Sequence, residues 1–187
     1  MQAAETEDEG DWGPLDGLPG NPMVWILILG ELTVFFVLLV GFGVAASLHR
    51  QAFVASQSLL EPGYGALNTV LLLGSGWLAA IANERVRAGL AARLQLASAL
   101  ALGLAFIAVK GNEYAAKFAA GIGIETDAFF TLYFLITGFH ALHVIAGCVG
   151  LAIVLWRPDR RSCETATSFW HIVDLIWVVV FPVIYLM

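Results

Sequence analysis

Residues 129–156 read FFTLYFLITGFHALHVIAGCVGLAIVLW and contain no aspartate, glutamate, lysine or arginine. An α-helix needs about 20 apolar residues to cross the hydrocarbon core of a bilayer, which is roughly 30 Å thick. The stretch is longer than this minimum. It is followed by Arg157 and Pro158, where an arginine suits the water boundary and a proline cannot continue the helix. The stretch therefore predicts a transmembrane helix.

Four further apolar segments have the same character, so the sequence predicts an all-α bundle of five transmembrane helices. These segments are residues 23–47, 66–83, 93–109 and 169–187. Composition supports the same class, because only 13% of the residues are charged and the mean hydropathy is +0.82. A soluble domain carries about 25% charged residues. We therefore expect a multi-pass membrane protein, with Thr165, Thr167 or Ser168 capping the last helix.

The N-terminal end of the chain and the loops differ in charge from the apolar segments. Residues 1–22 are acidic and rich in glycine and proline, which predicts a flexible N-terminal segment before the membrane domain of residues 23–187. The loops on the N-terminal side carry six arginines, and the opposite loops carry three basic residues. The positive-inside rule then predicts a cytoplasmic N-terminus. The basic residues are scattered, so no nucleic-acid partner is expected.

The third segment is followed by charged residues at helical spacing. Lys110, Glu113 and Lys117 share one face, so we expect the helix to continue as an amphipathic end at the membrane interface until Gly121. Trp170 and Trp177 are likewise expected to be interfacial, since tryptophan is enriched where the membrane meets water.

Glu31 is an acidic residue within the first predicted span. Insertion of a charged side chain at this depth costs roughly 2.5–3.5 kcal/mol, so the presence of Glu31 in the span requires an explanation. One hypothesis is a carboxyl that handles protons or contacts a partner. The other is a neutral carboxylic acid that hydrogen-bonds between helices. The sequence leaves both open.

Two pairs of polar residues repeat the same i, i+3 spacing. His140 and His143 occupy the middle of the fourth span, and His171 and Asp174 lie near the predicted start of the fifth. The pairs resemble halves of a metal or haem site, but their predicted depths differ. Interhelical hydrogen bonds without a metal are therefore the favoured interpretation. A b-type haem electron-transfer protein and a small proton-linked transporter with Glu31 on its pathway remain alternatives.

Two stretches resemble the subunit III family of haem–copper oxidases. They are TGFHALHVIAG at residues 137–147 and FWHIVDLIW at residues 169–177. Weaker similarities include Gly30-Glu31 and the LNT of residues 67–69. These two, together with Gly76-Trp77, are most similar to NorE-type members, which are associated with bacterial nitric oxide reductases. The resemblance extends over residues 23–187.

The resemblance implies a non-redox accessory subunit in the bacterial inner membrane, with no catalytic centre, haem or metal of its own. Its partner would be the catalytic subunit of a haem–copper oxidase or a nitric oxide reductase. The resemblance also implies roles in stabilising that subunit and in proton uptake or gas access, with bound phospholipid as the one expected ligand. The family's buried polar positions correspond to Glu31, His140, His143, His171 and Asp174. The two extra helices that border a lipid cleft in longer members have no predicted counterpart.

Overall fold

The computed structural model describes residues 22–157 and 159–186. The predicted flexible segment, apart from residue 22, lies outside the described residues, as do Pro158 and Met187. Six helices and no strand occur in the described ranges. The helices are α1 (Pro22–Leu48), α2 (Arg50–Gln57), α3 (Pro62–Arg87), α4 (Arg93–Ala119), α5 (Ala128–Trp156) and α6 (Arg160–Tyr185).

The predicted all-α fold with five spans is confirmed, since within the described residues every helix but α2 is long and apolar enough to cross a membrane. The side of the membrane on which the N-terminus lies stays a prediction. α4 continues beyond the apolar segment as expected, and Gly121 follows its end with a φ of +76°. Glycine adopts this left-handed conformation without steric cost.

The predicted start of the last helix was wrong. α6 begins at Arg160, nine residues before the apolar segment, and its N-cap is Asp159, whose carboxylate accepts a hydrogen bond from the Ser162 backbone N–H. Hydrogen bonding from Ser162 lowers the pKa of Asp159. The early turns carry few apolar residues, but Cys163 and Thr167 are buried one turn apart. Hydropathy therefore missed a segment that small side chains pack into the bundle.

The short helix α2, which the sequence had not predicted, lies against α5 at one end of the bundle. The Ser56 hydroxyl donates to the Asp127 carboxylate at 2.5 Å, and the Gln57 amide donates to the carbonyl of Ile184. These bonds place α2 beside the start of α5 and the end of α6. We call this region the α2 end of the bundle.

The five long helices form a bundle in which α3 packs on α4 and α6, α5 packs on α4 and α6, and α1 lies outside against α5 and α6. The Trp170 ring fills the centre. A Cβ added at Gly103 or Gly147 would lie 2.6 Å or 2.5 Å from it. Trp170 and Trp177 are both fully buried, which contradicts the prediction that they are interfacial. The Trp170 ring fills space that glycines leave between helices, and the Trp177 ring packs against Phe106 and His140.

Candidate functional site

A lysine and a glutamate meet inside the bundle towards the α2 end. Lys110 Nζ lies 2.9 Å from Glu113 Oε2, and the two side chains are 2% and 1% exposed. This corrects the prediction of an interfacial amphipathic surface, because α5 and α6 cover the charged face of α4. Removing two charges from water is costly unless each is paired and hydrogen-bonded. The structure meets both conditions.

Two tyrosines complete the surroundings of the pair. Tyr133 and Tyr185 donate hydrogen bonds to Glu113 Oε1 at 2.9 Å and 2.8 Å. Lys110 Nζ donates to the same hydroxyls at 3.2 Å and 2.6 Å. Its three donors are thereby satisfied. These four residues, which we call the buried clamp, join α4, α5 and α6. The sequence interpretation missed both tyrosines, although each stands out as a polar residue in an apolar run.

The ammonium group of the clamp also lies among aromatic rings. Lys110 Nζ is 4.8–5.4 Å from the ring centroids of Tyr114, Tyr133, Trp177 and Tyr185. At this range the negative face of an aromatic ring attracts a cation. The ammonium group is thus enclosed on several sides, and the buried clamp connects three helices to each other.

Glu31 is paired across helices with His143. Glu31 Oε2 lies 3.0 Å from His143 Nε2, and the side chains are 25% and 13% exposed. The Phe139 and Phe35 rings pack against the histidine, with centroids 4.6 Å and 5.5 Å away. The contact connects α1 to α5, so the glutamate that had no cation near it in sequence finds its partner in the tertiary structure.

The second nitrogen of His143 is bonded within its own helix. Nδ1 lies 2.8 Å from the carbonyl oxygen of Phe139, which only accepts hydrogen bonds, so Nδ1 carries a hydrogen. Nε2 is then the ring nitrogen that faces Glu31 Oε2 across the 3.0 Å contact. An ionisable side chain within a span commonly lies against such a polar partner.

We expect Glu31 and His143 to be coupled energetically. Replacing either residue with leucine should lower the denaturation midpoint in detergent, because the partner keeps a buried polar atom without a neighbour. The double variant should lose less than the sum of the two, with a coupling of about 0.6–2 kcal/mol. A double-mutant cycle measures this. Additive losses would show that the 3.0 Å contact contributes nothing.

His140 lies one helical turn from this pair but is enclosed by rings. It is fully buried, stacks on Trp177 at 5.1 Å, and meets the edges of Phe106 and Phe35. Neither ring nitrogen hydrogen-bonds to another described residue, so the expected interhelical bond does not form here. Buried polar atoms of this kind are commonly satisfied by internal water.

The second i, i+3 pair faces a different neighbour. His171 Nδ1 lies 3.8 Å from Asp174 Oδ2, and the Asp174 carboxyl sits against the backbone of Gly76 in α3. The two pairs lie at similar depths in the bundle, so the predicted difference in depth was wrong. α6 starts early, and the ring of Phe169, two residues before His171, lies 6.5 Å from the ring of His143. The two pairs nevertheless remain apart. Among the described residues, no three His, Cys, Asp or Glu side chains are grouped as a metal site requires.

The family model for cytochrome c oxidase subunit III matches residues 24–187. Cytochrome c oxidase subunit 3 of Synechocystis sp. is 33% identical over 140 residues, which is 69% of this chain and 58% of that protein. The corresponding protein of Pylaiella littoralis is 35% identical over 133 residues, covering 66% of this chain and 48% of the relative.

Quinol oxidase relatives align over more of their length. Cytochrome bo(3) ubiquinol oxidase subunit 3 of Pseudomonas aeruginosa is 26% identical over 173 residues, covering 87% of this chain and 82% of that protein. The chain thus spans about half the length of the first two relatives and most of the third. The family match includes all five long helices and both polar pairs. The chain belongs to the cytochrome c oxidase subunit III family.

Proposed function

We propose that this chain is a non-redox accessory subunit that stabilises the catalytic subunit of a respiratory haem–copper oxidase in a bacterial inner membrane. One observation carries the proposal. Ionisable side chains within the spans hold helices to each other: Glu31 and His143 join α1 to α5, and the buried clamp joins α4, α5 and α6. Such a bundle presents a rigid apolar surface to a neighbour in the membrane.

The Glu31–His143 pair supports a secondary role in proton uptake. Glu31 Oε2 lies 3.0 Å from His143 Nε2, and Glu31 is partly exposed at the side of the bundle. A carboxyl group and an imidazole can both bind and release protons, and a partly exposed pair can exchange them with water held at an interface between subunits. We therefore include assistance to proton uptake in the proposal.

A phospholipid is the ligand that we propose for this chain. A cleft of about 370 Å³ opens between α1, α2, α5 and the end of α6, near the α2 end of the bundle. Its apolar wall includes Phe42, Phe53 and Phe129, which suits an acyl chain, and its lining also includes Arg50. A guanidinium group is a good partner for a lipid phosphate.

Purification from native membranes tests the proposal. We expect the affinity-tagged chain, isolated in mild detergent, to bring with it a haem-containing catalytic subunit identifiable by mass spectrometry. A haem–copper oxidase partner supports the assignment as stated. A nitric oxide reductase partner would instead support the NorE-type variant of the same role. Recovery of the chain without any haem-containing partner would contradict both.

Expression of the chain alone separates the rival functions. We expect the isolated chain to show no stoichiometric haem absorbance and no proton flux in liposomes. A b-type haem spectrum would favour an electron-transfer protein with His140 or His143 as a ligand. Proton flux that disappears in a Glu31→Gln variant would favour a transporter.

A further inference from the structure

His171 is exposed at a depth where an ionisable side chain should not meet lipid. By the helix rise of about 1.5 Å per residue, it lies about 16 Å from the start of α6 and about 21 Å from its end. Its side chain is 46% exposed. Every other exposed Asp, Glu, His, Lys or Arg in the described ranges lies in a loop, in α2 or near a helix end. His171 is therefore exceptional on this surface.

The orientation of the ring adds a second point. Nδ1 is on the side of Asp174, whose carboxyl is 8% exposed and held between α6 and the backbone of Gly76. Nε2 hydrogen-bonds to no described residue. The Asp174 oxygen Oδ1 is also buried without a described partner. The His171–Asp174 pair is thus held on its inner side by Gly76, and Nε2 of His171 points outwards without a hydrogen-bond partner among the described residues.

A lipid tail cannot satisfy that atom. The imidazole is too short to reach the headgroups from mid-membrane, unlike a lysine or arginine side chain that extends to the interface. Only helices and closed barrels bring further polar groups to this depth, because backbone groups must be satisfied internally there. A transmembrane helix with its own polar side chain is a neighbour that satisfies His171 at this depth.

We infer that the α6 surface around His171 and Leu175 is the docking face for a transmembrane helix of the catalytic subunit, and that this helix places a hydroxyl, amide or carboxyl group against His171. The inference rests on the proposed function and identifies its contact face. Leu175, one turn further along α6, is 56% exposed and continues the same face with an apolar contact.

Two substitutions at one position distinguish a docking face from a lipid-facing one. His171→Leu should reduce co-purification of the catalytic haem about three- to tenfold per tagged chain, which is the range expected for a lost membrane hydrogen bond. His171→Gln keeps a hydrogen-bonding group and should retain most of the haem. The isolated His171→Leu chain should melt at the same temperature as wild type or higher, because leucine suits lipid. Unchanged haem recovery in His171→Leu would overturn the inference.

Photo-crosslinking from two positions tests where on the bundle the catalytic subunit binds. A photoreactive residue at Leu175 should attach to the catalytic subunit, whereas the same residue at Leu142, which is 63% exposed on α5, should do so much less. Attachment from Leu142 alone, or attachment of Leu175 to lipid or to a second copy of this chain, would contradict the assigned face. If the wild-type chain recovers no haem-containing subunit, the proposed function itself fails, which is a different result from equal recovery by wild type and variant.

Discussion

Lys110→Met is expected to lower the free energy of unfolding in detergent by about 3–5 kcal/mol, the largest effect of any single substitution considered for this chain. The variant leaves the Glu113 carboxylate buried with no cation. Only the two hydroxyls of Tyr133 and Tyr185 remain to stabilise it. Denaturant titration of the purified chain, followed by helical circular dichroism, measures the loss.

The double variant Lys110→Met/Glu113→Gln is the matched control for this prediction. It removes both charges, keeps side chains of similar volume, and leaves an amide oxygen at position 113 that can accept hydrogen bonds from both tyrosines. Replacing a buried ion pair by neutral groups of similar shape is often close to neutral for stability. We therefore expect most of the loss to be recovered. If the double variant is as unstable as the single one, packing rather than charge dominates the clamp.

Gly147→Ala is expected to destabilise the bundle by about 1–3 kcal/mol through overpacking. The new Cβ would lie 2.5 Å from the ring of Trp170, which is fully buried and also packs closely against Gly103 of α4. The ring or a helix must therefore shift to make room for the added methyl group. Thermal denaturation of the variant in detergent measures the effect.

Gly150→Ala is the control on the same helix. Its Cβ would make an ordinary contact of 3.8 Å with Ala166, so only the higher helix propensity of alanine should affect the stability of the variant. We expect this variant to be neutral or slightly more stable. Equal losses at both positions would mean that α5 needs glycine for a reason other than the Trp170 ring.

The helices of this protein were predictable where their residues are apolar all round. Residues 129–156 agree with α5 to within one residue, and residues 23–47 agree closely with α1. The start of α6 was not predictable in this way. Arg160–Ser168 is polar in composition, and its helix depends on the Asp159 cap and on the burial of Cys163 and Thr167. Hydropathy averages over both faces of a helix and misses such a segment.

The candidate residues show the same division. Glu31, His143, His171 and Asp174 could be selected from sequence because ionisable groups in a span are rare and costly. Their partners could not all be selected, since His143 is far from Glu31 along the chain and Gly76 carries no side chain to indicate that Asp174 lies against it. Helical periodicity relates residues within one helix and contains no information on which helix lies opposite.

Sequence alone determined that this chain is an all-helical membrane protein with five spans, because the energy of placing apolar and charged residues in a bilayer depends on composition and length. Only the tertiary structure decided which charges are buried. Lys110 and Glu113 have the spacing of an exposed amphipathic surface, yet they lie inside because α5 and α6 supply Tyr133 and Tyr185. A charged face of a helix can be buried when neighbouring helices supply the hydrogen-bonding groups that its side chains need.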